Sequence, residues 1–517
     1  MPAAHSVPRK PTVLIIMDGV GIQQEIEHNA FALAATPRLD DYFSRYPSTL
    51  LDAAGHAVGL PEGQSGNSEV GHLTLGSGMV LQQDLVRIDG AIKTGAFYQN
   101  EVLIDACDRA LQQRRPLHLV GLLSDGGVHG HLRHLLALID LATRCGVVPM
   151  LHLISDGRDT PSDAALRYFR AIEMPLRHAG GAVASVGGRY FAMDRNRQWA
   201  RTEKAWQAMT GTGSATASSV EAAIEAAYRQ GQGDEFIEPV SIAGGEPMAA
   251  GDPVICFNYR NDRMRQLAAA LAQPDFDGFD RGAWRPVDLF TMTHYEDGLP
   301  AAVAFPKLAP AVTLGGVVSG AGLRQLHVAE TEKFAHVTFF FNGGREPALP
   351  GETRILVPSP DVKTYDEAPE MSAALVADRV VEAIEAGSHD FIVVNFANGD
   401  MVGHTGVPAA IVRAVEAVDA AVGRVLDAAV ANGHAAVVTA DHGNCEQMVD
   451  PATGRPFTSH TANPVPCLVV DAHVTALADG NGLASVAPTV LELMGLPVPE
   501  AMHRGSLIER HGLVAVA

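Results

Sequence analysis

The sequence predicts an α/β fold in two domains, one interrupted by the other. Three observations carry this. Short β-branched apolar runs recur along the chain, each ending abruptly in a loop rich in Gly, Asp, Arg or His. Ala-rich stretches at helical spacing alternate with them, the pattern of a sheet flanked by helices. At 517 residues, the chain exceeds what one ordinary core accommodates.

The runs follow in order. Residues 13–17 predict a buried first strand leading to Asp18-Gly19, too short for a signal-peptide core or a membrane span. Residues 117–123 lead to Asp125 and His129, 151–154 to Arg158 and Asp159, 183–186 to Arg189 and Arg195, and 254–257 to Arg260 and Arg263. Residues 391–396 lead toward Asp400 and His404, and 435–439 to Asp441 and His442. Between these last two, 411–431 predicts a scaffold helix stopped by Asn432-Gly433. Ligands collect beyond the carboxyl ends of parallel strands, so the loops can be sorted by chemistry. Metal-type ligands lie near the chain ends and arginines in the middle. The predicted division is a discontinuous domain, 1–82 plus 312–517, interrupted by a domain of 83–311.

Composition excludes several classes. Charged residues at 19% and hydrophobic residues at 47% argue against long disorder. The formal charge of -21 disfavours nucleic acid and anionic membrane surfaces as partners, and an anionic small substrate then needs local arginines. Five cysteines without a CxxC fit a reducing compartment, so a cytoplasmic location is expected.

Asp18, Asp400, His404, Asp441, His442 and His460 supply three carboxylates and three imidazoles. That mixture suits Mn²⁺ or Zn²⁺, is too nitrogen-rich for a dedicated Ca²⁺ site, and suffices for two ions. Gly399, Gly403 and Gly406 predict a loop or turn around Asp400 and His404 rather than a regular helix. Asp441 and His442 must lie just past their strand, where Gly443 lets the backbone turn.

Ser68 sits in Gly66-Asn67-Ser68-Glu69-Val70-Gly71-His72, whose glycines allow a tight turn exposing the hydroxyl. A serine hydroxyl is a weak nucleophile and no GxSxG elbow is present, so metal coordination is the favoured activation. The alternative is a serine capping a helix that begins near Glu69. Arg158, Arg189, Arg195, Arg260 and Arg263 form a candidate clamp for a small, doubly anionic molecule. Asp159 beside them suits proton transfer, with His129 orienting or sharing the proton; alternatively Asp159 only aligns Arg158.

Motifs extend these residues along most of the chain: Met17-Asp18-Gly19, GNSEVGH at 66–72, SDGGVHGH at 124–131, SDGRDTP at 155–161 and GRYFAMDR at 188–195. TEKFAHVTFFFNGG at 331–344, NFANGDMVGHTG at 395–406 and DHGN at 441–444 follow. In this order they resemble the cofactor-independent phosphoglycerate mutases of the alkaline phosphatase superfamily. The resemblance implies an alkaline-phosphatase-like metal domain interrupted by an inserted α/β substrate domain. It implies one Mn²⁺ or similar ion, such as Zn²⁺ or Co²⁺, on Asp400, His404 and His460, and a second on Asp18, Ser68, Asp441 and His442. Ser68 becomes the phosphorylated residue. Substrate contacts are implied for His129, Arg158, Asp159, Arg189, Arg195, Arg260, Arg263 and Lys333, with Asp159 and Lys333 catalytic. A monomer acting on phosphoglycerate is also implied, without nucleic acid or membrane partners. Ser65 and Asn261 depart from residues common in the family, Met and Pro, and Asn261 for Pro loosens the arginine loop. A phosphatase, a phosphopentomutase or a non-catalytic phosphate sensor are the rival readings. Neither a strand-borne GxGxxG nor a P-loop is present.

Overall fold

The computed structural model describes residues 9–509; residues 1–8 and 510–517, assigned above to the discontinuous domain, lie outside the described residues. The chain divides into two compact units, one from the described parts of Met1–Gln82 and Leu308–Ala517, the other Gln83–Lys307.

The first unit is built on an eight-stranded sheet. Its order is Glu352–Val357, Gln325–Glu330, Phe391–Phe396, Thr12–Met17, Ala435–Thr439, Val465–Val470, Ser48–Asp52, Asn481–Gly482. The first five strands are parallel, and Val465–Val470 pairs antiparallel with both of its neighbours. Thr12–Met17, Phe391–Phe396 and Ala435–Thr439 are buried at every residue. Covered on both faces, they read as mostly apolar runs, whereas Ser48–Asp52 alternates buried and exposed. Each valine or isoleucine so buried contributes about 1.5–3 kcal/mol.

Register does the positioning. Met17 pairs with Phe396 and Ile16 with Thr439, so Asp18, the segment before Asp400, and Asp441 all emerge at one edge of the sheet. The helix Pro408–Ala431, opened by a proline in its first turn, packs against Ala373–Glu385 and is scaffold.

The expected loop around Asp400 is instead a helix, Asn398–Gly403, whose last turn is closed by His404 N donating to the Asp400 carbonyl at 3.0 Å. Its glycines answer to crowding more than to turning. A Cβ on Gly399 would lie 2.7 Å from the Asp18 carbonyl oxygen, and one on Gly403 2.3 Å from Asn444 Oδ1. Only Gly406 takes the left-handed conformation of a turn, with φ 66°. Helicity places Asp400 and His404 one turn apart on one face.

The expected tight turn exposing the Ser68 hydroxyl is instead a helix start, and Ser68 is buried. The helix Ser68–Ser77 starts at that residue, and its cap is Asn67, whose side chain accepts from Val70 N at 3.0 Å. The serine hydroxyl is thereby left free of capping. Near the far end of this helix, a Cβ on Gly76 would sit 2.0 Å from the Phe341 carbonyl oxygen.

The second unit carries its own eight-stranded sheet. Its order is Ala301–Val303, Asp288–Thr291, Pro253–Cys256, Leu117–Leu123, Pro149–Ser155, Ala182–Gly188, Val240–Ile242, Thr216–Ala217. The first six are parallel, and Val240–Ile242 runs against Ala182–Gly188. Alternate residues of one strand feed separate apolar clusters: Leu119 and Leu151 enter one, Val120 and Ile154 the other. The helices Asp84–Thr94 and Leu132–Cys145 are tied by Asp89, which accepts from Arg133 Nη2 at 2.6 Å and His134 Nε2 at 3.1 Å. No helix among the described residues is long and apolar enough to cross a membrane.

Two outcomes follow from this packing. Gly76→Ala forces apart the helix Ser68–Ser77 and the Phe341 backbone, and chemical denaturation should show a loss of about 1–3 kcal/mol. Burial alone would raise Asp89, but hydrogen bonds from His134 and Arg133 outweigh it and hold its carboxyl at about 2. Because the folded value lies below the ordinary one near 4, this stabilisation is present above about pH 4 and lost as pH falls toward 2. Asp89 is partly exposed, so solvent screening leaves roughly 1 kcal/mol. Acid unfolding of Asp89→Asn should lack this component while stability at pH 7 falls by a similar amount.

Candidate metal centres and active site

At the carboxyl edge of the first unit's sheet, Asp18, Asp441 and His442 are fully buried and Asp400 nearly so. Their ligating atoms fall into two groups, Asp400 with His404 and His460, and Asp18 with Asp441 and His442. Lys333 Nζ lies between them, donating to Asp18 Oδ1 at 2.8 Å, Asp400 Oδ2 at 2.7 Å and Ser68 Oγ at 2.6 Å. Ser68 Oγ also lies 2.9 Å from His442 Nε2 and 3.4 Å from Asp18 Oδ1.

One ammonium does not balance three buried carboxylates, and the cost of such an excess is high in a low-dielectric interior. Burial and the Asp441 charge push Asp18 above the usual carboxylate range. Burial would also raise Asp400, yet Lys333 and the contacts of His404 and His460 hold it well below that range. Burial alone would lower the Lys333 ammonium, but Asp18, Asp400 and Asp441 raise it instead.

The donor set fits divalent cations. His404 Nδ1 faces the Thr458 carbonyl at 2.7 Å, His460 Nδ1 the Gly66 carbonyl at 2.9 Å, and His442 Nδ1 the Gly443 carbonyl at 3.2 Å. Each contact fixes the proton on Nδ1 and leaves Nε2 to the site. His404 Nε2 and His460 Nε2 then stand 3.1 Å apart, at 3.2 and 3.0 Å from Asp400 Oδ1. Three acceptors converging this closely require positive charge among them. The hydrogen bond to Asp400 raises His404, and the same carboxylate raises His460 against its burial. In the other group, buried Asp441 Oδ2 lacks a well-aligned donor, an open lone pair for a cation.

Polar side chains absent from the sequence-level site surround these carboxylates. Asn395 Nδ2 donates to Asp18 Oδ2 at 2.7 Å, and Asn444 Nδ2 donates to Asp400 Oδ1 at 3.0 Å. His72 Nδ1 lies 2.9 Å from the Ser68 carbonyl oxygen and 3.1 Å from Asp441 Oδ2. All three lie inside the quoted motifs; the available signal was a buried polar residue beside a predicted ligand.

The second unit gathers the arginines. Arg189, buried at the end of Ala182–Gly188, donates through Nη1 to Asp156 Oδ1 at 2.6 Å and Asp159 Oδ2 at 2.5 Å. Asp159 therefore anchors to Arg189, while Arg158 reaches toward Glu235 at 3.7 Å. Arg195 Nη1 and Arg260 Nε contact Asp262 at 2.9 and 3.2 Å. Arg263 donates to the Met193 carbonyl at 3.2 Å; burial and then the charges of Arg195, Arg189 and Arg158 lower its guanidinium. His129 faces Asp262 at 3.6 Å, and burial together with Arg189 pushes it down to about 4, so it is neutral at pH 7. Asn261, expected to loosen its loop, donates to the His294 carbonyl at 3.2 Å. Asp156 and Asp262, which organise the arginines, were not legible as such because an acceptor's role depends on which cations fold around it.

Fold and site together define a protein of the metalloenzyme superfamily, whose family model matches residues 10–498. The chain is 53% identical over 509 residues to the 2,3-bisphosphoglycerate-independent phosphoglycerate mutase of Symbiobacterium thermophilum, covering 97% of this chain and 98% of that one. The protein of the same name from Syntrophotalea carbinolica is 49% identical, with 97% and 99% covered. A crystal structure of Leishmania mexicana phosphoglycerate mutase at low cobalt concentration superposes with a TM-score of 0.62 at 33% identity, covering 98% of this chain and 99% of that one. The chain belongs to the 2,3-bisphosphoglycerate-independent phosphoglycerate mutase family.

Proposed function

We propose that this chain interconverts 3-phosphoglycerate and 2-phosphoglycerate through a phosphoserine at Ser68, with two Mn²⁺ ions and no bisphosphoglycerate. The observation that carries the reading is the position of Ser68 Oγ, at the start of its helix and within 2.9 Å of both Lys333 Nζ and His442 Nε2. Family membership supports it independently.

Asp400, His404 and His460 would hold one ion, and Asp18, Ser68, Asp441 and His442 the other. Such ions supply a lowered proton affinity at the serine oxygen and neutralise phosphate charge. The chain's own groups do the rest. Lys333 donates to Ser68 Oγ and so favours its alkoxide character. The start of the helix Ser68–Ser77 would offer the positive end of its dipole to the incoming phosphate. Ser68 Oγ forms the bond to phosphorus as the bond to the substrate's 3-oxygen breaks.

The arginines are the reading's clamp for the resulting glycerate: Arg158, Arg189, Arg195, Arg260 and Arg263, with neutral His129 available as a donor or acceptor. Asp159, held by Arg189, takes the proton of the 2-hydroxyl and returns it to the 3-oxygen. The 2-oxygen then forms a bond to the same phosphorus and Ser68 leaves. Phosphate passes through the serine twice, so no second phosphate donor is needed. In this reading Gln83–Lys307 is the substrate unit and the remainder the metal unit.

The deciding experiment incubates protein with 3-phosphoglycerate and Mn²⁺, without bisphosphoglycerate, and follows 2-phosphoglycerate and free phosphate together. Chelator-sensitive 2-phosphoglycerate with little free phosphate is expected; free phosphate alone would make the protein a phosphatase. Ser68→Ala should abolish turnover while elemental analysis still finds bound metal, and substantial residual mutase activity would refute the phosphoserine.

A further inference from the structure

Glu446 is fully buried, two residues beyond the DHGN motif, and no arginine, lysine or histidine pairs with it among the described residues. An unpaired buried carboxylate is costly unless neutral donors satisfy it. Here they do so on both oxygens. Oε2 accepts from Gly21 N at 3.0 Å and Asn444 N at 2.8 Å. Oε1 accepts from Asn463 Nδ2 at 3.0 Å and from the Thr461 hydroxyl.

The cradle is built tightly around it. A Cβ on Gly21 or Gly443 would lie 2.4 Å from Glu446 Oε1. The four donors belong to three separate segments, each carrying candidate ligands. Gly21 follows Asp18, Asn444 follows Asp441 and His442, and Thr461 adjoins His460. Asn444 extends the connection to Asp400 through its side chain, and Thr461 N donates to the Gly443 carbonyl at 3.0 Å. One carboxylate thus holds the ligand segments of both groups in fixed relation.

We propose that Glu446 is the positioning residue that sets the spacing of the two metal centres, although it ligates neither. It rests on the metal-centre reading above, and it concerns bound metal rather than turnover. A hub of this kind resists replacement by its amide: Glu446→Gln turns an –NH₂ toward donors that need an acceptor.

The test loads metal-free protein with Co²⁺ for visible absorption and titrates it with Mn²⁺ by calorimetry, for the parent, Glu446→Gln and Asn463→Leu. Glu446→Gln should shift the cobalt bands and weaken Mn²⁺ binding at least tenfold, the scale at which ligand-orienting groups act. Asn463→Leu removes one donor without touching a ligand and should move both readouts in the same direction by less. Parent-like bands and affinity in either variant, even with a lowered unfolding temperature, would overturn the proposal. Should Glu446→Gln not fold, Asn463→Leu decides alone. Failure of the mutase reading would appear instead as a metal-loaded parent without turnover.

Discussion

Three carboxylates buried around one lysine are the constraint to which the first unit is built. Their mutual repulsion has no solvent to screen it, and a single ammonium leaves the balance negative. Every neighbour is arranged to tolerate or answer that excess. Asn395 and Asn444 offer neutral donors that add no further charge, and the imidazoles turn their protonated nitrogens outward to backbone carbonyls. The result is a pocket that attracts cations wherever its acceptors crowd together. Folding without them leaves the excess uncompensated, so metal binding and stability are coupled here.

The second unit solves the opposite problem. Five arginines in one neighbourhood would repel one another and whatever else is cationic. Asp156 and Asp159 hold Arg189, and Asp262 holds Arg195 and Arg260, while Arg158 turns to Glu235 and Arg263 to the Met193 carbonyl. Under the proposed function, an anionic substrate would enter that set as a competing partner for the arginines. Asp262 is the most exposed of the three carboxylates, so the arginines it holds would be the more readily released to such a substrate.

Much of this was written plainly in the chain. Strands such as Thr12–Met17 and Ala435–Thr439 are buried on both faces, and such short, mostly apolar runs admit few other readings. The candidate ligands Asp18, Asp441 and His442 stood out because they come at the ends of those strands. The helix at Asn398–Gly403 did not, since three glycines argue locally against it; what overrides them is the close approach of Asp18 and Asn444, which no local pattern encodes. Glu446 was invisible for a related reason. A glutamate after a metal-binding loop looks like any solvated acid until Gly21 and Asn463, hundreds of residues upstream and a short step downstream, are folded against it.

The ligand order along the chain has a further consequence, for biosynthesis. Asp18 is made before Gln83–Lys307, whereas Asp400, Asp441 and His460 follow only after all of that unit has been translated. The central strand Thr12–Met17 likewise waits for both hydrogen-bonding partners, Phe391–Phe396 and Ala435–Thr439. Gln83–Lys307 has its own sheet and core, which need no strand made later, while Thr12–Met17 stays unpaired until its partners are made. Neither candidate ligand group is therefore complete until the segment from Asp400 to His460 has been made, and metal loading at these groups would wait for it.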